Sequence, residues 1–421
     1  MKIAHVAYFP PAVKASHFGI GHAVHYLSEE LVRLGHDVTV FVSWSPGIKK
    51  FKEHSYKIKT LWPVVKFGHI FFAPTLWFGL RKFDIVNVHY PFWGALEIVG
   101  LYKFLHKDRM KFVISYDADI LPKGFDKKIL RWQYKNILPR VVSMVDKIIV
   151  SSADYLITSD AFGQFYAGSP RFGVASSPRF GVASSPRLRL VEASKTRLFA
   201  EVPFGAADQF FPEPKDKRLM ARYGLKDEDV VLMFIGILDR TRSYKGLNYL
   251  LKAMEYLDAN VKLIIGGNGE MREFYQTKAI ESGLGKRMIF TGYIKEDEMR
   301  QHYNLCDIFI LPSINRGEAC SAVALEAMAC AKPLIMTNLK GVRSIIDPGV
   351  NGMLVEPKNS RDIVDKVKFL LQRPQLMVAM GQNGADRVNW QYRWPSSAKK
   401  MEEIYKKLAT KKQGVQESNP R

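Results

Sequence analysis

The 421-residue chain is 47% hydrophobic and 24% charged, which is enough material for two or three domains and excludes a disordered, collagenous or coiled-coil class. Its net charge of +21 is uneven: residues 1–200 hold 28 Lys and Arg against 14 Asp and Glu, and residues 201–421 hold 34 against 27. Cys306, Cys320 and Cys330 show no C-x-x-C spacing, which argues against a disulfide scaffold or zinc ribbon and for a reducing cytosol.

Met1-Lys2 runs into an apolar stretch without a signal-peptide pattern. Ile3 to Phe9 predicts a buried strand, and Val24, Leu27, Leu31 and Leu34 recur at helical spacing over Gly21 to Leu34. Gly35 ends that helix, and Asp37 to Ser43 predicts a second strand. The segment Lys49 to Lys82 interleaves Lys and Arg with Trp62, Phe71, Phe72, Trp77 and Phe78. Two readings fit that composition, an interfacial helix at a membrane or a core helix with a solvated basic edge. Its apolar run, Phe67 to Leu80, contains His69 and Pro74 and is too short to span a bilayer. Ile85 to His89, Lys111 to Ser115 and Lys147 to Ser151 predict further strands, with helical stretches between them.

The octapeptide Ser169 to Ser176 recurs identically as Ser177 to Ser184, and Ser185-Pro186-Arg187 starts a third copy. A period of eight is too short for a solenoid unit, and Gly, Pro and Ser in each copy predict an inserted surface loop over 168–187. A basic flap over an anionic acceptor is the sharper alternative. A second alternating block has candidate strands at Val231 to Ile237, Val261 to Ile265, Met288 to Thr291, Ile308 to Leu311 and Leu334 to Thr337. The chain is therefore expected to form two doubly wound α/β domains, 1–200 and 201–394, joined within Glu201 to Pro214. A last helix over Ala398 to Leu408, within 395–421, has Met401, Ile404, Tyr405 and Leu408 on one face and is expected to pack back on the first domain, ahead of a disordered tail. His17, His22 and His25 straddle a loop and a helix face and are not read as a metal set.

The most informative stretch surrounds Glu318 and Glu326. Ser321 has the character of an N-cap, Ala322 to Cys330 reads as a helix, and Lys332-Pro333 ends it. Ile308 to Leu311 precedes it as a buried strand, so Glu318 falls at a strand's carboxyl end, where open α/β sheets bind ligands. The helix N-terminus offers unpaired N–H groups and a partial positive charge to phosphate. A carboxylate on either side of that phosphate site can hold two sets of sugar hydroxyls, which outlines a nucleotide-sugar site.

With these residues in place, the chain resembles the retaining glycosyltransferases of family 4, which have the GT-B architecture of two facing Rossmann-like domains. The resemblance rests on several blocks in order: Phe18-Gly19-Ile20-Gly21, Arg33-Leu-Gly-His-Asp-Val38, Glu201-Val-Pro-Phe-Gly-Ala-Ala-Asp208, Phe234-Ile-Gly236, Tyr244-Lys245-Gly246, Thr291-Gly292-Tyr293 and the Glu-x7-Glu pair. It implies an NDP-sugar donor held mainly by the second domain, with the reaction in the cleft. Glu318 is then expected on the transferred sugar, Glu326 on the ribose, and the amides of Cys320, Ser321 and Ala322 on sugar or phosphate. Lys245 is expected to stabilise the departing diphosphate. Gly236 marks the family's glycine at a strand end, Tyr293 and Ile294 read the base through backbone groups, and Gly19 lets its loop approach the phosphates. The resemblance requires no Asp-x-Asp metal site and no cofactor.

The chain departs from the pattern at Ile237, where the family commonly has arginine; Arg240 or Arg242 is the expected substitute. Asp117 stands where the family often has histidine, with Asp119 two residues on, and an ionised carboxylate cannot donate a hydrogen bond. Asp117 is kept as a catalytic candidate. Phe18 and Ser321 replace loop glycines.

The expected function is retaining hexosyl transfer from an NDP-sugar to a hydroxyl acceptor, lipid-linked or saccharide. The expected location is cytoplasmic, at the inner face of the cell membrane, with peripheral contact through the basic first domain. The alternatives are a sugar or sugar-phosphate glycoside synthase and a catalytically silent NDP-sugar-binding protein. No nucleic-acid-binding signature is seen, so nucleic acid is not expected as a partner.

Overall fold

The computed structural model describes residues 1–8, 19–44, 54–67, 70–107, 109–119, 126–166 and 198–410. The octapeptide repeat, His17, Phe18 and the tail after Thr410 lie outside the described residues. The chain divides into two compact units, one from Met1–Ala12, Ile20–Pro203 and Ser397–Arg421, the other from Val13–Gly19 and Phe204–Ser396.

The N-terminal unit is built on seven parallel strands: β1 (Lys2–Ala7), β2 (Asp37–Ser43), β3 (Lys57–Leu61), β6 (Ile85–Tyr90), β7 (Lys111–Tyr116), β8 (Lys147–Val150) and β9 (Phe199–Glu201), in the order β3-β2-β1-β6-β7-β8-β9. The central strands are buried along almost their whole length, as a parallel sheet covered on both faces requires. The order reverses between β1 and β6, which run in register with Ile3 opposite Ile85 and Val6 opposite Val88. The first helix, Gly19–Arg33, buries Val24, Leu27 and Leu31, and Gly35 follows at φ 86°. The last helix, Trp394–Thr410, contributes its residues from Ser397 onward to this unit, with Ala398, Met401 and Tyr405 buried.

Within 49–82 the structure replaces the expected helix. β4 (Val65–Phe67) and β5 (Ile70–Phe72) form an antiparallel pair, and a five-residue helix, Thr75–Gly79, follows. Pro74 explains the late start, because proline is tolerated at a helix entrance but not inside one. Neither of the two helical readings holds for the described residues of this segment.

The C-terminal unit has six parallel strands: β10 (Val230–Ile235), β11 (Val261–Gly266), β12 (Met288–Gly292), β13 (Ile308–Leu311), β14 (Leu334–Thr337) and β15 (Gly352–Val355). Their order, β12-β11-β10-β13-β14-β15, is the doubly wound Rossmann order, with the reversal between β10 and β13. A crevice outside the carboxyl ends of these two strands is where such a sheet takes a ligand. The residues after Ile235 and after Leu311 are therefore the ones to follow.

Candidate active site

β10 ends at Ile235, and the amide of Gly236 donates to the carbonyl of Gly266 at 2.9 Å. A Cβ at Gly236 would lie 2.6 Å from Cδ of Lys245, so the missing side chain makes room for the lysine stem. Asp239 caps the short helix Arg240–Lys245, its carboxylate accepting from the Arg242 amide (2.7 Å) and the Thr241 hydroxyl (2.8 Å). The same carboxylate pairs with the Arg242 guanidinium. Burial alone would raise the Asp239 carboxyl, but the bonds from Thr241 and Arg242 outweigh it and hold the group below its usual range. Arg242 is thus engaged by Asp239, while Arg240 is 80% exposed with Nε 3.7 Å from Glu270.

Gly246 then turns the chain at φ 79°, and a Cβ there would come 1.9 Å from the Pro312 carbonyl oxygen. This close approach brings the end of the lysine loop against the segment leaving β13. Lys245 Nζ lies 2.8 Å from Glu318 Oε2, and the two side chains are only 15% and 8% exposed. The opposed charges satisfy each other in a place with little water.

Glu318 is followed by the helix Ala322–Ala329. Ser321 is the N-cap residue, as expected, with the extended backbone of that position (φ −89°, ψ 108°), but its hydroxyl makes no capping bond. Both Ser321 Oγ and Ser313 Oγ are buried without a hydrogen-bond partner. Buried hydroxyls normally find partners, so two orphans flanking one loop, beside amides that also lack intrahelical acceptors, fit a polar ligand there. Cys320 is buried against this turn, and Ala322 is the first helical residue.

Glu326 is held by a residue the sequence did not single out. The Tyr303 hydroxyl donates to Glu326 Oε2 at 2.7 Å. Burial of the carboxyl pushes Glu326 up to about 7, against the lowering effect of the Tyr303 bond, and Glu296 nearby adds to the rise. Ile294 packs over Gly266, where a Cβ would lie 2.7 Å from Cδ1, and Tyr293 beside it stays 43% exposed. Lys245, Glu318, Gly236 and Ser321 thus gather around the carboxyl ends of β10 and β13, and Tyr293 and Ile294 follow β12.

Gly19 and Asp117 belong to other surroundings. Gly19 opens the first helix, and a Cβ there would meet nothing within 4 Å. Asp117, just past β7, is buried with Oδ2 2.9 Å from His89 Nδ1; His89 Nε2 lies 2.8 Å from His5 Nδ1. Burial raises the Asp117 carboxyl while His89 opposes the rise, and burial followed by repulsion from His89 lowers His5 well below the usual imidazole range. His5 Nε2 has no partner. Asp119 is structural: its carboxylate accepts from the Ser159 hydroxyl at 3.0 Å and the Asp160 amide at 3.3 Å. His5 and His89, each within a mainly apolar strand, are the sequence signal from which this chain of side chains could have been found. Among the described residues, no helix is long and apolar enough to cross a membrane.

Residues 19–156 match the family model for Glycosyltransferase Family 4, and residues 216–387 match that for Glycosyl transferases group 1. The chain is 31% identical over 185 residues to an uncharacterised glycosyltransferase of Methanocaldococcus jannaschii, covering 44% of this chain and 46% of that one. It is 32% identical over 197 residues to the GDP-mannose-dependent alpha-(1-6)-phosphatidylinositol monomannoside mannosyltransferase of Mycolicibacterium smegmatis, covering 44% and 50%. These matches span about half the length of the relatives. Among solved structures, sucrose-phosphate synthase from Thermosynechococcus elongatus superposes with a TM-score of 0.70 at 20% identity, covering 97% of this chain and 99% of that one, which is a likeness of fold.

Proposed function

We propose that this chain, whose residues 19–156 and 216–387 match the models for Glycosyltransferase Family 4 and Glycosyl transferases group 1, is a GT-B glycosyltransferase that moves a hexose from an NDP-sugar to a hydroxyl acceptor with retention of configuration. The observation that carries this reading is the Lys245–Glu318 pair beside a helix N-terminus with two orphan serine hydroxyls. A donor diphosphate entering there gives Lys245 a second anion and gives Ser313, Ser321 and the first-turn amides acceptors to donate to. Glu318 then turns to the hydroxyls of the transferred sugar, and Glu326 takes the ribose hydroxyls. As the glycosidic oxygen leaves, Lys245 and the helix N-terminus neutralise the growing charge, the effect on which such catalysis chiefly depends. The leaving phosphate oxygen takes the acceptor proton on the same face of the sugar. Asp117, held by His89, is the catalytic candidate that the N-terminal unit carries.

One relative is named for GDP-mannose and a phosphatidylinositol mannoside, so GDP-mannose is the first donor to test and a lipid-linked hydroxyl the first acceptor. Trp62, Val64, Phe72 and Phe78 stand 42–73% exposed on the basic N-terminal half, which suits peripheral contact with the inner, anionic face of the cell membrane. Sedimentation with anionic vesicles tests this, and binding that does not depend on anionic lipid removes it. Calorimetry with UDP-, GDP- and ADP-sugars tests the central claim: one donor binds, and Lys245→Ala weakens it at least tenfold. Failure of all three to bind overturns it. A catalytically silent donor-binding protein is the second reading, favoured by the engagement of Asp117 with His89 and of Arg242 with Asp239. Tight donor binding without turnover or donor hydrolysis would select it.

A further inference from the structure

His25 and Glu29 lie one turn apart on the first helix, and His54 enters from the segment leading into β3. One ligating atom from each residue can be chosen so that all three lie within 4.8 Å of one another. A Rossmann core has no structural need for two imidazoles and a carboxylate converging beside the middle of its first helix. The geometry points to a transition-metal site, with zinc as the fitting ion: we propose that His25, Glu29 and His54 hold Zn²⁺ and so tie the entry to β3 onto the first helix.

The surrounding residues fix the three ligands. The Tyr56 hydroxyl lies 2.8 Å from His25 Nδ1, which occupies that nitrogen and leaves Nε2 for a metal. The ring of His54 stacks on Tyr56 with centroids 4.9 Å apart and planes at 15°. Glu29 is oriented by Ser55, whose amide donates to Oε1 at 3.2 Å and whose hydroxyl donates to Oε2 at 2.7 Å. Glu29 Oε1 and His54 Nδ1 stand 4.0 Å apart, too far for a hydrogen bond between them. Tetrahedral zinc with bonds of about 2.0–2.2 Å keeps its ligand atoms roughly 3.4 Å apart, so side-chain movements of about 1 Å complete the arrangement. Two imidazoles and one carboxylate select zinc or a neighbouring transition ion over Mg²⁺ or Ca²⁺, and the fourth position is left for water.

The test uses the full chain, freed of any affinity tag and stripped with a chelator, titrated with ZnCl2 by calorimetry. One equivalent should bind, and zinc should raise the thermal midpoint while MgCl2 does not. His54→Ala and Glu29→Gln should each weaken binding at least tenfold and remove the zinc-dependent rise. His25 is buried and its replacement can disturb the helix packing, so His54→Ala, with an unchanged metal-free circular dichroism spectrum as its control, is the deciding variant. No stoichiometric zinc binding, or binding that is unchanged in His54→Ala, overturns the proposal.

Discussion

Lys245 and Glu318 neutralise each other in a poorly hydrated place, so whatever moves the lysine stem also moves the charge at the candidate site. Gly236 is the residue against which that stem lies. Gly236→Ala is expected to displace Lys245 and weaken donor binding about tenfold, with the thermal midpoint shifted by only a few degrees, because a side chain can yield where a backbone cannot. Calorimetry and thermal unfolding of the same preparation check both halves. Glu326 gives a pH prediction. Its folded value, about 7, lies above its ordinary 4.5, so its contribution to stability is fully present below about pH 4.5 and is lost as pH rises through 7. The thermal midpoint should therefore fall between pH 5 and pH 8, and Glu326→Gln should flatten that fall. An unchanged slope in the variant would show that the carboxyl does not titrate there. Neither Tyr303 nor His89 could be paired with its partner from sequence, since 23 and 28 positions separate them from Glu326 and Asp117. Such bonds come from strand order, which local spacing does not encode.

The elements were legible in proportion to their burial. Ile308–Leu311 and Leu334–Thr337 form as predicted, because an unbroken apolar run between turn residues has few other uses. Lys57–Leu61, at a sheet edge, alternates exposed and half-buried residues and starts with Lys-Ile-Lys, and it was missed. Phe199–Glu201 was missed at the opposite edge, where two half-buried residues and an exposed one carry no pattern. The segment 49–82 misled because its composition suits a helix while Pro74 divides it. Of the candidate site, the glutamate pair and the helix that starts at Ala322 were readable, whereas the hold of Asp239 on Arg242 was not. The turn at Gly246 joins two elements and sets a prediction at this scale. A left-handed φ and a Cβ 1.9 Å from the Pro312 oxygen mean that Gly246→Ala should cost at least about 3 kcal/mol, read as a lower urea midpoint.

At the scale of the whole molecule, the N-terminal unit closes with the last helix. Tyr405 is fully buried and its hydroxyl accepts from the Asn87 amide at 3.0 Å, while His36 Nε2 lies 2.9 Å from Glu402. Tyr405→Phe should cost about 1 kcal/mol, since Asn87 keeps its bond to the Ser115 hydroxyl, and the loss should appear in the unfolding of the N-terminal unit. A transition of the C-terminal unit shifted by as much would contradict that assignment. This discontinuous unit also has a consequence during synthesis. A ribosome emits Asn87 and His36 hundreds of residues before their partners, so the unit begun first is the unit finished last. A nascent chain arrested after Gln391 and fully extruded should protect the C-terminal sheet from protease while the N-terminal sheet, still without its covering helix, is cut.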